Sequence, residues 1–488
     1  MSARKSLTFS FLDRYASLII NIVSSMVLAR MLTPGDIGVF SVTMVLLALV
    51  STVRDMGAGQ YVSQERDLTT DRLRAVWAVQ LGVGLLLSLI VLAASVPVAS
   101  FYGEPRMREI MWVIALNYAI NPFGSITYTL LMRDMRYDTV AIIRFTATVV
   151  SAVMSGVLAW RGFGPLSLAW GSLAGTTAGA VMSIQFRPRS CPWLPGWAEV
   201  PRVMSFGTKM TATSIVETVV RGAAEFSLGK LQGFAAAGLY SRANGLVTMF
   251  DRLVTDAAYP VALSVFSKDV RSNLRIDRLF EKSIYYVTAL AWPFAIALFF
   301  LAHPVVRVLY GDQWDEAVDL TRLLCIALAL NVTIPLSHAA LVASGAASKT
   351  LRASLGSAAT TLCFAGVGAY HGLPAIGGAM AISGLISACI WLVAVHGEIR
   401  FSWRRLIGAV LPNLWLAAAA AAAPIAVCLL WGVRPADALP SLMVGGLGAA
   451  AALLVAIRLT RHALSQELDR MASTLAGRWL RRSARTPR

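Results

Sequence analysis

The 488 residues are 57% hydrophobic and only 14% charged, with a mean hydropathy of +0.65, whereas a soluble domain carries roughly 25% charged residues. This composition excludes an ordinary soluble domain. Backbone in lipid must satisfy itself as helix or closed barrel, and long apolar runs without extended alternation predict an all-α polytopic membrane protein; the formal charge of +17 would suggest nucleic acid only in a soluble chain.

About fourteen spans are predicted, at 12–31, 37–62, 76–98, 110–131, 140–160, 163–186, 203–228, 237–266, 281–303, 318–342, 351–371, 373–396, 407–431 and 436–457, since roughly 20 residues cross a hydrocarbon core. With the amino terminus inside, the cytoplasmic segments hold about 28 Lys/Arg and the opposite loops about five, the positive-inside bias. The excess charge therefore reports topology and anionic-lipid contact, and no nucleic-acid partner is expected. Cys325, Cys363, Cys389 and Cys428 fall in spans and Cys191 in a loop, without disulfide or metal spacing. The first apolar run ends in ArgMetLeuThrPro, lacks a small-residue cleavage site, and is expected to remain as a span.

Span 1 carries Asp13 and Arg14 at its cytoplasmic end and Arg30 at its outer end, where long side chains snorkel to the interface. ThrProGlyAsp at 33–36 predicts a tight outer turn. Span 2 ends in Arg54-Asp55-Met56-Gly57-Ala58-Gly59. An Arg within a span costs about 2.5–3.5 kcal/mol even on insertion scales, so Arg54 is expected to face a bundle interior or a watery cavity. Asp55 points about 100° away and does not naturally neutralise it. In span 4, Asn117, Asn121 and Pro122 predict a kink. Arg144 lies about one turn into span 5, at a depth where snorkelling also accounts for it. The Gly-, Ala- and Ser-rich helix from Leu166 predicts close helix packing.

In span 7, Glu217, Arg221 and Glu225 recur at i, i+4 and i+8 and spread over about 80°, forming one stripe. They could neutralise one another within the helix, but the surplus acid favours a water-filled cleft and a proton or cation site. Span 8 adds Arg242 near its outer end and Asp251, Arg252 and Asp256 near mid-membrane. Arg252 and Asp256 have i, i+4 spacing, which leaves Asp251 for another partner. This cluster suits either a central cavity or a salt-bridge network closing a gate. His338 in span 10 is expected as a hydrogen-bonded core residue. The tail from Arg458, with eight Arg, predicts an amphipathic helix on the cytoplasmic leaflet.

The chain repeats itself. LARMLTPGDIGVFS (28–41) is answered by LGKLQGFAAAGLYS (228–241), SFYGEP from Ser100 by VLYGDQ from Val308, and Gly164-Pro165 by Leu373-Pro374. Three echoes in one order imply a duplicated unit of roughly 200 residues. The expected organisation is an N-lobe at 1–186, a Pro-rich linker at 187–202, a C-lobe at 203–396, two further spans within 407–457 and a basic tail at 458–488.

LARMLTPGDIGVFS, followed by a helix ending in a charged-glycine stretch, resembles the start of Wzx-type polysaccharide repeat-unit flippases and, more distantly, of the MurJ lipid II flippase. GKLQGFAAAGLYSRANGL and VLYGDQWDEAVDLTRLL resemble the matching stretches of the second lobe. The resemblance covers approximately residues 8–400. Glu225 departs from the pattern, which has Asp or Asn before the Gly-Lys turn. The resemblance implies a MATE-like fold of two six-helix lobes in parallel repeat plus two C-terminal helices, in the bacterial inner membrane. It implies alternating access and, as cargo, an undecaprenyl-diphosphate-linked oligosaccharide moved to the periplasmic leaflet for lipopolysaccharide, O-antigen or exopolysaccharide synthesis. A polysaccharide polymerase and a chain-length regulator are expected partners.

A diphosphate requires cations, and Arg54 and Arg252, helped by Arg221, Arg14 and Arg144, are the candidates to bind it. Glu217, Glu225, Asp251, Asp256 and Asp55 are the candidates for coupling to protons or sodium; no cofactor and no metal are expected. A MATE-type cation antiporter is the first alternative, but it would favour acids and aromatics over arginines. A membrane polymerase or ligase is the second. It would need a long outer loop bearing Arg and His, and no nucleophile constellation appears, so catalysis is not expected.

Overall fold

A computed structural model of the chain describes residues 3–55, 59, 61–62, 65, 67–188, 191–272, 274–431, 437–460, 462–465 and 469, with the side chains of 3–14, 55, 206–214 and 431 outside the description. The described residues are helical, without strands. In order they form α1 (Ala3–Met31), α2 (Pro34–Asp55), α3 (Thr70–Tyr102), α4 (Pro105–Ile120), α5 (Pro122–Arg133), α6 (Tyr137–Trp160), α7 (Leu166–Gln185), α8 (Val200–Leu231) and α9 (Phe234–Val247). A π turn at Asp251–Thr255 leads into α10 (Asp256–Arg271). Then follow α11 (Asp277–Tyr310), α12 (Ala317–Asn331), α13 (Ile334–Ala343), α14 (Ala347–His371), α15 (Leu373–Ile399), α16 (Trp403–Val410), α17 (Asn413–Trp431) and α18 (Ala438–Leu459). Each predicted span overlaps one of these helices or a broken pair, with residues 56–58 and 60 of the second span and 436 of the last lying outside the described residues. Among the described residues, eight helical runs are by themselves long and apolar enough to cross a bilayer, and the α4–α5 pair makes a ninth, bent by 50°. Helices such as α8, with its charged stripe, fail that test because part of their surface is polar.

The chain packs as two compact units, Met1–Arg242 with Leu309–Trp314 and Ala365–Ile376, and Ala243–Val308 with Asp315–Phe364 and Gly377–Arg488. In the first unit the ThrProGlyAsp turn is a reciprocal cap. Thr33 Oγ1 donates to Asp36 Oδ2 at 2.7 Å, and the Asp36 amide donates back to Thr33 Oγ1 at 3.1 Å, with Pro34 starting α2, where its missing N–H costs nothing. The YG echoes share a conformation: Gly103 and Gly311 have φ of 68° and 99°, the left-handed region that glycine enters without strain. Next to Gly103, Glu104 accepts from Arg106, which holds its carboxyl below the usual carboxylate range.

The bend between α4 and α5 lies at Asn121-Pro122, as predicted. Asn117 donates to Ser172 at 3.1 Å, tying α4 to α7. The small residues of α7 admit α6 closely: a Cβ on Gly171 would lie 1.8 Å from Ser155 Oγ, and one on Gly175 2.8 Å from Ser151 Cβ. Arg187 and Gly196 are held against α3. The Arg187 guanidinium lies 4.2 Å from the Trp193 ring centroid and 5.7 Å from that of Trp77, and the Gly196 amide donates to Arg74 O.

In the second unit, Asp277 and Glu281 at the start of α11 are buried and meet Arg405 of α16 at 3.3 and 3.4 Å. His338 is hydrogen-bonded, as expected, 2.9 Å from Tyr259 Oη. The basic tail beyond 465, apart from 469, lies outside the described residues, but its root is held by a buried network. Asn413 Nδ2 donates to Tyr285 O and Thr288 Oγ1, so Asn413 Oδ1 accepts from His462 Nε2 at 3.0 Å. His462 Nδ1 accepts from the Leu464 amide, and the ring stacks on Tyr285 at 4.4 Å. Both ring nitrogens are thus used by the neutral imidazole, and burial holds its pKa below the usual value. A group with a lowered folded pKa adds stability above its unfolded pKa, near 6.5 for histidine, and loses it as pH falls through the folded value. His462→Ala is therefore expected to cost about 1–3 kcal/mol at pH 7.5. The difference from wild type should shrink at pH 5.5, as checked by thermal unfolding in detergent at both pH values.

Candidate functional site

The first unit contains a cavity of about 770 Å³, inside the range of roughly 300–1,000 Å³ typical of ligand pockets. It lies at the Arg54 end of α2. Along α2, Arg54 stands roughly 24 Å from Gly38, at 1.5 Å rise per residue.

The charged wall comes from α2 and α8. Thr52 Oγ1 and Thr218 Oγ1 are 3.0 Å apart and join the two helices. Arg54, in the last described turn of α2, lines the cavity with its guanidinium 5.7 Å from the Tyr118 ring centroid. That ring is fixed in turn, because Tyr118 Oη donates to Leu47 O at 2.8 Å and lies 3.1 Å from Ser51 Oγ. A partly exposed cation–π contact is worth about 0.5–1 kcal/mol and helps to orient Arg54. Glu217 and Arg221 line the same wall and pair at 2.9 Å, with side chains 62% and 77% exposed. An ion pair this open contributes about 0–1 kcal/mol, so an incoming anion can recruit Arg221 at little cost.

The rest of the lining comes chiefly from α3, the α4–α5 bend and α7, and its polar groups are uncharged: Gln80, Asn121, Ser125, Thr129, Thr176 and Ser183. Ser125 Oγ donates to Gln80 Oε1 at 3.0 Å, which engages the Gln80 carbonyl and leaves its amide NH₂ to the cavity. Gly124, Gly175 and Gly179, with Ala147 and Ala180, keep this side shallow.

The stripe read along span 7 divides. Glu217 and Arg221 are in the cavity, whereas Glu225, two turns on, is half-buried beside Ser41 and Ser241, where α2 meets α9. The two serine hydroxyls lie 2.9 Å apart. They are equivalent positions of the repeat, and Gly38 and Gly238 meet at the same crossing: a Cβ on Gly38 would fall 1.6 Å from Phe234 O, and one on Gly238 2.0 Å from Pro34 O. Nearby, Arg242 donates to Ser25 Oγ at 2.7 Å, and Trp314 Nε1 donates to Ala29 O at 2.8 Å.

Asp251, Arg252 and Asp256 belong to the second unit. Asp251 opens the π turn, its carbonyl accepting from the Asp256 amide and its Oδ1 from Thr255 Oγ1 at 3.0 Å; Thr255 is the partner that the spacing left open. Arg252 and Asp256 are exposed on that unit. Arg144 is exposed on α6, beside the cavity-lining Ile143 but not among the lining residues. The side chains of Arg14 and Asp55 lie outside the described residues. Of the uncharged wall, sequence reasoning named only Asn121, as part of a kink; Gln80, the one amide in the apolar run of span 3, and Ser125 and Thr129, one turn apart after the Pro122 bend, were further signals.

A family model described as "Polysaccharide biosynthesis protein" matches residues 27–319. The chain is 22% identical over 405 residues to the succinoglycan biosynthesis transport protein ExoT of Rhizobium meliloti (strain 1021), covering 82% of this chain and 79% of that one. It is 22% identical over 324 residues to the lipopolysaccharide biosynthesis protein WzxC of Escherichia coli (strain K12), covering 63% of each. Among solved structures it resembles the lipid II flippase MurJ in an inward closed conformation, with a TM-score of 0.75 at 13% identity over 93% of this chain and 100% of that one. An inward-facing multidrug resistance MATE transporter of the MOP superfamily gives a TM-score of 0.63 at 15% identity, over 79% of this chain and 94% of that one. At these identities the structural likeness establishes the fold, an all-helical MATE-like and MurJ-like arrangement.

Proposed function

This chain belongs to the polysaccharide biosynthesis protein family whose model its residues 27–319 match, and from that premise we propose that it is an alternating-access flippase for undecaprenyl-diphosphate-linked oligosaccharide repeat units. It carries them from the cytoplasmic to the periplasmic leaflet for lipopolysaccharide, O-antigen or exopolysaccharide synthesis. It works as a transporter rather than an enzyme and hands its cargo to a polysaccharide polymerase and its chain-length regulator. The positive-inside bias supports cytoplasmic termini, which places the Arg54 end of α2 in the cytoplasmic half of the membrane and the Gly38–Gly238 crossing in the periplasmic half.

The observation that carries this reading is a cavity in a membrane-spanning helical fold with Arg54 and Arg221 on one wall. At about 4 Å and an effective dielectric near 20, each phosphate–guanidinium pairing is worth about 4 kcal/mol before desolvation. Arg252, Arg14 and Arg144 assist along the path. Glu217, Glu225, Asp251, Asp256 and Asp55 are the groups through which proton or sodium coupling would act, Glu225 being the one tied to the repeat crossing.

Deleting the gene is expected to accumulate lipid-linked repeat units on the cytoplasmic leaflet, and a wild-type copy is expected to relieve the accumulation. Normal lipid-linked pools together with altered sensitivity to cationic drugs would overturn the reading in favour of a drug exporter.

A further inference from the structure

One end of α3 is covered on the side where the rest of the helix is bare. Leu85, Leu89 and Leu92 are exposed along α3, as residues facing lipid are. At 100° per residue, Arg74 points within about 20° of Leu85 and Leu92. A Cβ on Gly196 would stand 2.8 Å from Arg74 Cβ, and the Gly196 amide donates to Arg74 O. Earlier in the same stretch, Cys191 is buried in one cluster with Ala75 and Trp77. Residues 191–197 therefore lie on the lipid-facing side of α3. Their depth follows from its length. The 33 residues of α3 span about 50 Å, against a hydrocarbon core of about 30 Å, so Arg74, in the second turn, stands at headgroup level rather than in the core.

This stretch presents aromatic and cationic groups together. Trp193, Leu194 and Trp197 are 63%, 68% and 73% exposed, although the backbone that carries them is held at Cys191 and Gly196. The Arg187 guanidinium lies 4.2 Å from the Trp193 ring centroid and donates to Pro192 O, and among the described residues it pairs with no carboxylate. Arg74 meets Asp71 only at 3.9 Å. Both charges thus remain open to an anion. Tryptophan favours the boundary between headgroups and acyl chains, where its ring is in apolar surroundings and its N–H is wet, and basic side chains are drawn to anionic headgroups. We propose that residues 191–197 form an interfacial docking site for anionic phospholipid, with Trp193, Leu194 and Trp197 at the headgroup boundary and Arg187 and Arg74 on lipid phosphates. The leaflet is the cytoplasmic one, by the orientation proposed above.

The test places the full-length protein in nanodiscs of phosphatidylcholine and phosphatidylglycerol and compares wild type with Trp193→Gln and with Trp197→Gln, so that the emission lost in each variant belongs to one tryptophan. That emission is expected to be quenched by lipids brominated near the top of their acyl chains and shielded from acrylamide in the water. Omitting phosphatidylglycerol is expected to lower the ratio of docked to free segment, read from the quenching, by about 5-fold for each basic side chain engaged. Arg74→Gln, which leaves the backbone bond from Gly196 in place, is expected to remove one such factor. Both tryptophan variants should melt in detergent at the wild-type temperature, because the rings they lose are exposed. Leu194→Trp adds an emitter without removing one and gives the same measurement if either variant fails to fold. Quenching by acrylamide and not by the brominated lipids overturns the docking site and leaves the patch to a soluble partner. Quenching by neither shows a patch packed against the chain and overturns it too. Docking that is equal with and without phosphatidylglycerol overturns the assignment to an anionic headgroup.

Discussion

Replacing Gly38 with alanine is expected to lower transport at least tenfold without preventing membrane insertion. The added Cβ would fall 1.6 Å from Phe234 O, a backbone atom at the start of α9 that no rotamer change can remove. Carbon–oxygen contact requires more than about 3 Å, so α2 and α9 must separate by roughly 2 Å, and overpacking of this kind costs about 1–3 kcal/mol or more. Separation on that scale breaks the 2.9 Å hydrogen bond between Ser41 and Ser241 and exposes Glu225 beneath it. Gly238→Ala, with its Cβ 2.0 Å from Pro34 O, is expected to act in the same way. Gly245→Ala is the control: it lies in the same helix, its Cβ meets nothing within 4 Å, and alanine there favours the helix by about 0.5–1 kcal/mol. Transport by all three variants, measured as relief of lipid-linked oligosaccharide accumulation at matched membrane levels, decides the matter. Wild-type transport by Gly38→Ala and Gly238→Ala would show that the crossing need not close for the cycle.

Arg54→Ala is expected to reduce transport by 100-fold or more, the largest effect of any single side chain in the cavity. Truncating one member of a charge-assisted pair in a desolvated site costs about 2–5 kcal/mol, and each 1.4 kcal/mol is tenfold. Stability should change less than transport, because Arg54 lines a cavity and is only partly buried. Arg54→Lys keeps the charge but not the planar fork and should recover part of the activity. Arg221→Ala is expected to be milder, since Arg221 already shares its charge with Glu217 at 2.9 Å. The check is the same accumulation assay beside a detergent melting curve. Abolished transport with an equally large drop in melting temperature would make Arg54 a structural residue.

The amino-acid sequence by itself determined the elements of this protein. Runs of apolar residues set the helices, because an unpaired peptide group in lipid is too costly to leave exposed; Asn121-Pro122 set the bend between α4 and α5, because proline cannot donate to the turn before it; Gly103 and Gly311 set the ends of α3 and α11, because only glycine takes a positive φ freely. The echo at 28–41 and 228–241 was legible as a duplication. Only the tertiary structure decided that equivalent residues of the two copies touch one another, Gly38 on the start of α9, Gly238 on the start of α2 and Ser41 on Ser241. Helical spacing placed Glu217, Arg221 and Glu225 on one stripe, yet their surroundings differ, since a stripe fixes direction around a helix and not which neighbour stands at each height. The uncharged wall was the least legible part. A charge within an apolar run announces a functional setting, whereas the serines, threonines and amides of this wall also suit ordinary helix packing, and their meeting in one cavity depends on helices that come together only when the chain is folded.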